Sequence, residues 1–238
     1  MTILFFRTLG NSLVVAAVVW LAYSFYPVFK VELFYQLDRA RGVQREISVE
    51  ETLPEPPKTS FGEILKRPKP LAITPVSKEF GIVIPKINAN SKIVPNVDPG
   101  NYEEYSRKLL EGIGHAKGTV FPGTVGNCYL FSHSVANLWD VPRYNAQFWL
   151  LSKLEKGDMV FVFYNGRQYD YKVVEKLVVP AKETSWLNAI YHEPILTLQT
   201  CDPPGTTWRR LIVVAKLVAG ESGFFVAAPS NFRKNYLS

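Results

Sequence analysis

Residues 8–29, TLGNSLVVAAVVWLAYSFYPVF, contain no charged side chain. A helix needs about 20 consecutive apolar residues to cross the hydrocarbon core of a bilayer, and this run supplies them. It predicts an N-terminal membrane anchor over residues 1–29. Asn11 and Ser12 fall near one end, where polarity costs less, and Trp20, Tyr23 and Tyr26 fall toward the other interface. A cleaved signal peptide competes with this reading, because Arg7 supplies a minimal basic start and Ala22-Tyr23-Ser24 has small residues at a peptidase spacing. The apolar run continues through Phe25 to Val31, which favours an uncleaved anchor. Arg7 precedes the span, whereas Lys30, Arg39 and Arg41 follow it, so the positive-inside count mildly opposes an outside C-terminal domain.

The rest of the 238-residue chain is long enough to bury a core, with 47% hydrophobic and 20% charged residues overall. A net charge of +6 favours an anionic neighbourhood such as a membrane surface or cell wall. Zinc-finger spacings, basic helices and aromatic RNA-binding motifs are absent from the sequence, so nucleic acid is not an expected partner. Cys128 and Cys201 lack the nearby Cys and His residues a zinc site uses. Carboxylates are scattered and no glycine-rich phosphate loop occurs, so neither a metal nor a cofactor is predicted.

Four regions follow from composition. After the anchor, residues 30–47 continue a helical pattern. Pro54, Pro56, Pro57, Pro68, Pro70 and Pro75 then deny helix hydrogen bonds, so 30–77 reads as a juxtamembrane helix and a semi-rigid spacer, or a loop wrapping the domain surface. Residues 78–220 carry the domain, and 221–238 a tail. Within the domain, NYEEYSRKLLEG predicts a helix capped by Asn101, with Glu103 and Glu104 at its N-terminal dipole and Gly112 at its end. FGIVIP, CYLFSH, DMVFVFYN, RQYDYKVVEKLVV, EPILTLQT and RRLIVVAKLV read as strands, and Asn165-Gly166 as a hairpin turn. Many short strands with few helices predict a mainly β domain, a closed barrel or a sandwich.

The chemistry concentrates in ILTLQTCDPPGTTWRRLIVVAKL. Cys201 sits at a strand end beside a turn, open to three readings: a buried hydrophobe, half of a disulfide, or a nucleophile. Arg209 and Arg210 are adjacent, so strand alternation sends them to opposite faces. In CYLFSH the same alternation puts Tyr129, Phe131 and His133 on one face and Cys128 on the other, which predicts a buried Cys128 thiol away from His133.

LTLQTCDPPGTTWRRLIV resembles the TLxTC motif and following arginine of the sortases, membrane-anchored cysteine transpeptidases of bacterial surfaces. GHAKGTVFPGTVGNCYLFSHS resembles the segment that leads to their catalytic histidine. The resemblance spans roughly Phe80 to Val218, and the Pro-Pro-Gly turn and RRLIVVAKL ending look more like class C, D or E than class A or B. It implies an eight-stranded β-barrel with one or two short helices and a catalytic set of His133, Cys201 and Arg210. Cys201 would attack a backbone carbonyl in an LPxTG-like sorting motif to form a thioacyl enzyme. His133 would act as general acid and then base, and Arg210 would stabilise the oxyanion. Thr200 matches the threonine of the motif, where it would contact substrate or brace the site. Ser132 departs from the glycine usual before the histidine. His115 is the rival histidine, and His192 falls in a loop. The implied partners are secreted proteins carrying a C-terminal sorting signal, the amine of a cell-wall precursor or pilin, and the membrane that holds the domain outside the cell. Two rivals remain open: a surface thiol peptidase that hydrolyses the thioacyl intermediate, and a catalytically silent membrane-anchored barrel.

Overall fold

The computed structural model describes residues 2–47, 71–132 and 148–220. The expectations for the Pro-rich stretch up to residue 70, for His133 and for the tail at 221–238 lie outside those residues.

Helix α1 (Thr2–Arg41) is a single 40-residue helix, about 60 Å long at 1.5 Å per residue. Its Phe6–Tyr23 stretch has a mean hydropathy of 1.4 and none of it is buried inside the protein, as a lipid-facing segment requires. The helix runs on through Pro27, and its C-terminal part does something the sequence did not announce. Val31 and Tyr35 pack against the central hydrophobic cluster of the barrel. Glu32 pairs with Lys153 at 3.2 Å, and the Lys153 ammonium lies 5.6 Å over the Tyr35 ring. Asp38 pairs with Arg45 just beyond the helix.

Strand β1 (Arg45–Ile47) pairs in parallel with β2 (Leu71–Ile73) as a separate ribbon. Arg45 and Leu71, far apart in the chain, are thereby brought side by side.

The barrel is built from β3 (Phe80–Ile84), β4 (Ala89–Val97), β5 (Ile113–Ala116), β6 (Gly126–Phe131), β7 (Met159–Tyr164), β8 (Arg167–Pro180), β9 (Pro194–Asp202) and β10 (Arg209–Gly220). It closes in the order β10-β8-β7-β3-β4-β5-β6-β9, with β9 hydrogen-bonded back to β10. The β4–β5 and β6–β9 pairs are parallel and the remaining neighbours antiparallel. Closure removes the exposed edges an open sheet would carry. The eight-stranded barrel expected from the sequence is present, together with a short α-helix, α2 (Tyr102–Lys108), and two 3-10 turns, Pro85–Ile87 and Leu151–Lys153, among the described residues. Asn101 caps α2 by accepting from the Glu104 N–H at 3.1 Å. Asn165 and Gly166 both have positive φ, 50° and 76°, as the two central positions of a type I′ hairpin between β7 and β8 require.

Alternation decides which side chains fill the barrel. On β9, Leu196 and Leu198 point inward; on β10, Leu211, Val213 and Ala215 do so, joined by Ile82, Ile84, Val160 and Val162. Cys128 on β6 is in the same cluster, 1% exposed and free. Burial in apolar surroundings pushes its thiol pKa far up, so it is an inert hydrophobe. The outward residues form two satellite clusters. Tyr129 and Phe131 pack with Val97, Leu109 and Ala116, while Ile195, Ile212, Val214 and Val179 pack under Trp186 and Tyr191 of the β8–β9 connection.

Candidate active site

Strand β9 delivers Cys201 and β10 delivers Arg210 in the same way. Residues 195, 197, 199 and 201 share the outer face of β9, because Leu196 and Leu198 occupy the inner one. On β10, Arg210 falls on the outer face with Ile212 and Val214. Cys201 and Arg210 are direct register partners across the β9–β10 pair. The Arg210 guanidinium donates from Nη1 to Cys201 Sγ at 3.5 Å. The same nitrogen lies 3.2 Å from the carbonyls of Thr207 and Arg209, which hold the fork in place. Cys201 is half-buried, at the penultimate position of its strand.

Arg209 is the register partner of Asp202 and pairs with it at 2.9 Å. The two arginines thus part as alternation dictates, one toward the sulfur and one toward a carboxylate. The connection between β9 and β10, with its cis Asp202–Pro203 bond, turns the chain so that both partners meet at one rim.

Thr200 points to the opposite side of β9 from Cys201 and is 3% exposed. Its Oγ1 donates to the Ser132 carbonyl at 3.2 Å, and the Ser132 N–H donates to the Gln199 carbonyl at 3.1 Å. These two bonds clamp the exit of β6 to the strand that carries Cys201. The next residue in the chain is His133, which lies outside the described residues; the last described residue before it is therefore tied to the residue before Cys201.

His115 is elsewhere. It is fully buried on β5, stacked 4.7 Å from Phe121 and edge-on to Phe80. Its Nδ1 accepts the Asn96 N–H and its Nε2 lies 3.1 Å from the Val120 carbonyl. Burial holds its pKa below the ordinary histidine value, partly opposed by the Val120 carbonyl. Each ring nitrogen has a backbone partner, so His115 braces the turn before β6. His192 is exposed in the β8–β9 connection.

One pair beside the sulfur was not singled out from the sequence. The Tyr129 hydroxyl donates to Gln199 Oε1 at 2.5 Å. Gln199 occupies the variable position of the TLxTC-like stretch, two residues before Cys201. The available signal was the shared parity of 199 and 201, together with the aromatic at 129 on the neighbouring strand. The charge of Arg210 also reaches Tyr129, although desolvation dominates and raises the phenol's pKa. Among the described residues, no group of three or more His, Cys, Asp or Glu side chains gathers as a metal site would require.

A cysteine beside a fixed guanidinium at a barrel rim is suited to nucleophilic attack on a carbonyl, since the thiolate is the attacking form and arginine keeps its charge. Comparison with known proteins agrees with that chemistry. The family model described as a sortase domain matches residues 82–218. Sortase C-1 from Actinomyces oris is 31% identical, over 60% of this chain and 76% of its own, with a TM-score of 0.50. Sortase C1 of GBS Pilus Island 1 is 25% identical, over 63% of this chain and 68% of its own, also at 0.50. No curated protein sequence matches. Together with the closed barrel, the match over more than half of its length shows that the chain belongs to the sortase family, whose members are cysteine transpeptidases.

Proposed function

We propose that this sortase cleaves an LPxTG-like sorting motif and transfers the acyl fragment to an amine on the cell surface. In the first half-reaction the Cys201 thiolate attacks the scissile carbonyl. A C–S bond forms, the amide C–N bond breaks, and His133 gives its proton to the departing amine. In the second, an incoming amine attacks the thioester carbonyl, a C–N bond forms, the C–S bond breaks, and His133 takes the proton from the amine. Arg210 stabilises the oxyanion in both halves. Thr200 holds the Cys201 strand to the end of β6 and so sets the distance between nucleophile and acid–base group.

The observation that carries this reading is the 3.5 Å approach of Arg210 Nη1 to Cys201 Sγ between directly paired strands. The helix α1 supports a single-pass anchor with the barrel outside the cell. Of the basic residues that oppose that topology, Arg39 acts on the barrel: its charge lowers the pKa of Glu155. Long domains are translocated largely regardless of charge. The acyl donors are then secreted proteins with a C-terminal sorting signal, and the acceptors are amines of a cell-wall precursor or a pilin.

The test is a sorting-peptide assay on the full chain in detergent, with and without an added amine. Wild type should release the C-terminal fragment and form the amine-ligated product, and Cys201→Ala should do neither while keeping its thermal transition. Cleavage and ligation by Cys201→Ala at the wild-type rate would refute the proposal.

A further inference from the structure

The outward side chains of β9 can be accounted for one at a time. Ile195 is covered by Trp186 and Tyr191. Thr197 donates to Asn127 Oδ1 at 2.7 Å and is fully buried. Cys201 meets Arg210. That leaves Gln199, half-buried between Phe131 of β6 and Ile212 of β10, its register partners on either side. Its carboxamide oxygen takes the Tyr129 hydroxyl proton at 2.5 Å, whereas its nitrogen donates to no group among the described residues.

The orientation of that amide has a physical reason. Tyr129 is 3% exposed, so its hydroxyl must spend its proton inside the protein. The Arg210 cation acts on the phenol. A phenol beside a cation turns its lone pairs toward the charge and its O–H away, which here means toward Gln199. The Gln199 oxygen is thereby occupied, and the N–H pair is left without an acceptor among the described residues, on the strand face that Gln199 shares with Cys201. Gln199 and Cys201 are two residues apart on one strand face, roughly 7 Å along the chain. An extended peptide whose carbonyl sits at the sulfur covers that distance with two of its own residues.

We propose that Gln199, held by Tyr129, is a specificity-determining residue: its Nε2 donates to a side-chain oxygen of the acyl-donor peptide, within two residues of the carbonyl that Cys201 attacks. The hydroxyl it would read is that of the threonine in the LPxTG-like motif proposed above; what is new is the assignment of that reading to Gln199. An aliphatic residue of the same shape would strip water from the amide without replacing its hydrogen bond, and sites built around such a donor discriminate strongly against the analogue that lacks the acceptor. Tyr129 acts only through Gln199 and is a positioning residue. The inference rests on the acyl-transfer reading above.

The test uses the full chain in detergent and pairs of sorting peptides that differ by threonine or valine at a single position, scanned through the motif. The readout is the ratio of kcat/KM for the two members of each pair. Wild type should prefer threonine by about tenfold or more at one position within two residues of the scissile carbonyl. Gln199→Leu should bring that ratio to about one and leave the ratios at other positions unchanged. Gln199→Met keeps the length of the side chain but has no N–H to donate and no oxygen to accept the threonine hydroxyl; it should lose the preference in the same way, and it decides the matter if the leucine variant does not fold. Tyr129→Phe should lower the ratio through KM more than through kcat, because it loosens Gln199 without removing the donor. A general structural defect would slow both members of a pair and leave the ratio intact. The inference is overturned if the Gln199 variants keep the wild-type ratio, or if wild type shows no such preference near the scissile bond while still forming acyl enzyme. If wild type acylates with none of the peptides although Cys201 is alkylated normally, the transferase reading itself falls, and this inference with it.

Discussion

Replacing Tyr35 with alanine should loosen the barrel from its anchor. Tyr35 is partly buried, with Val31 beside it on the central cluster and the Lys153 ammonium 5.6 Å over its ring. Removing roughly 150 Å² of aromatic contact at about 25 cal/mol per Å² costs about 3–4 kcal/mol. The extended-chain reference makes that an upper figure, and alanine returns about 0.5 kcal/mol through better helix propensity. The exposed cation–π contact adds about 0.5 kcal/mol. The net expectation is about 2–3 kcal/mol, which for a domain of this size lowers Tm by roughly 5–10 °C. The assay is thermal unfolding of the full chain in detergent, followed by near-ultraviolet circular dichroism. Phe34→Ala is the matched control, since Phe34 is 53% exposed on the same helix turn and should be nearly silent. A Tm for Tyr35→Ala within 1 °C of wild type would show that the end of α1 does not contribute to the stability of the barrel, and the docking argument would be wrong.

Other outcomes follow from the same geometry. Under the mechanism proposed above, Arg210→Ala should lower kcat by about 10²–10³, the usual cost of losing an oxyanion donor. Arg209→Ala should change activity little and stability by about 1 kcal/mol, because it loses an ion pair whose arginine end is exposed while Asp202 is half-buried; peptide kinetics and urea titration of both variants separate them. Iodoacetamide at pH 8 should add one adduct to the native chain, on Cys201, and two in guanidinium chloride, where Cys128 leaves its apolar site; intact mass reads both. His115 titrates below its ordinary value when folded, so below about pH 6.5 the unfolded chain binds the proton first and stability falls with falling pH. His115→Gln should flatten the Tm–pH curve between pH 7 and pH 5 relative to wild type, whatever its effect at neutral pH.

The strands were legible because each is a run of β-branched and aromatic residues ended by turn chemistry. Asn165-Gly166 needed no tertiary information, since both positions require positive φ and few residues accept it. The same is true of the Asn101 cap, a short-range bond. The split between Arg209 and Arg210 was also readable in principle, because a strand has only two faces. The end of α1 was not legible. Residues 31–39 read as a helical continuation of the anchor, and nothing in their order says that Val31 and Tyr35 meet the barrel core or that Glu32 meets Lys153, a partner far along the chain. The β1–β2 ribbon was invisible for the same reason, as three-residue strands carry too little pattern to announce their pairing.

Taken alone, the sequence determined what depends on neighbours along the chain: an uncharged stretch able to cross a bilayer, a mainly β domain, a cysteine at a strand end and two arginines facing opposite ways. Only the tertiary structure decided which strands lie side by side. That choice put Arg210 opposite Cys201 rather than one residue out of step, and brought Tyr129 of β6 to the amide of Gln199. The reason is that register between distant strands is set by closing the barrel and filling it with Leu196, Leu198, Leu211 and Val213 together. A slip of one residue would turn those four outward and the face bearing Cys201 and Arg210 inward, a cost no local preference can state.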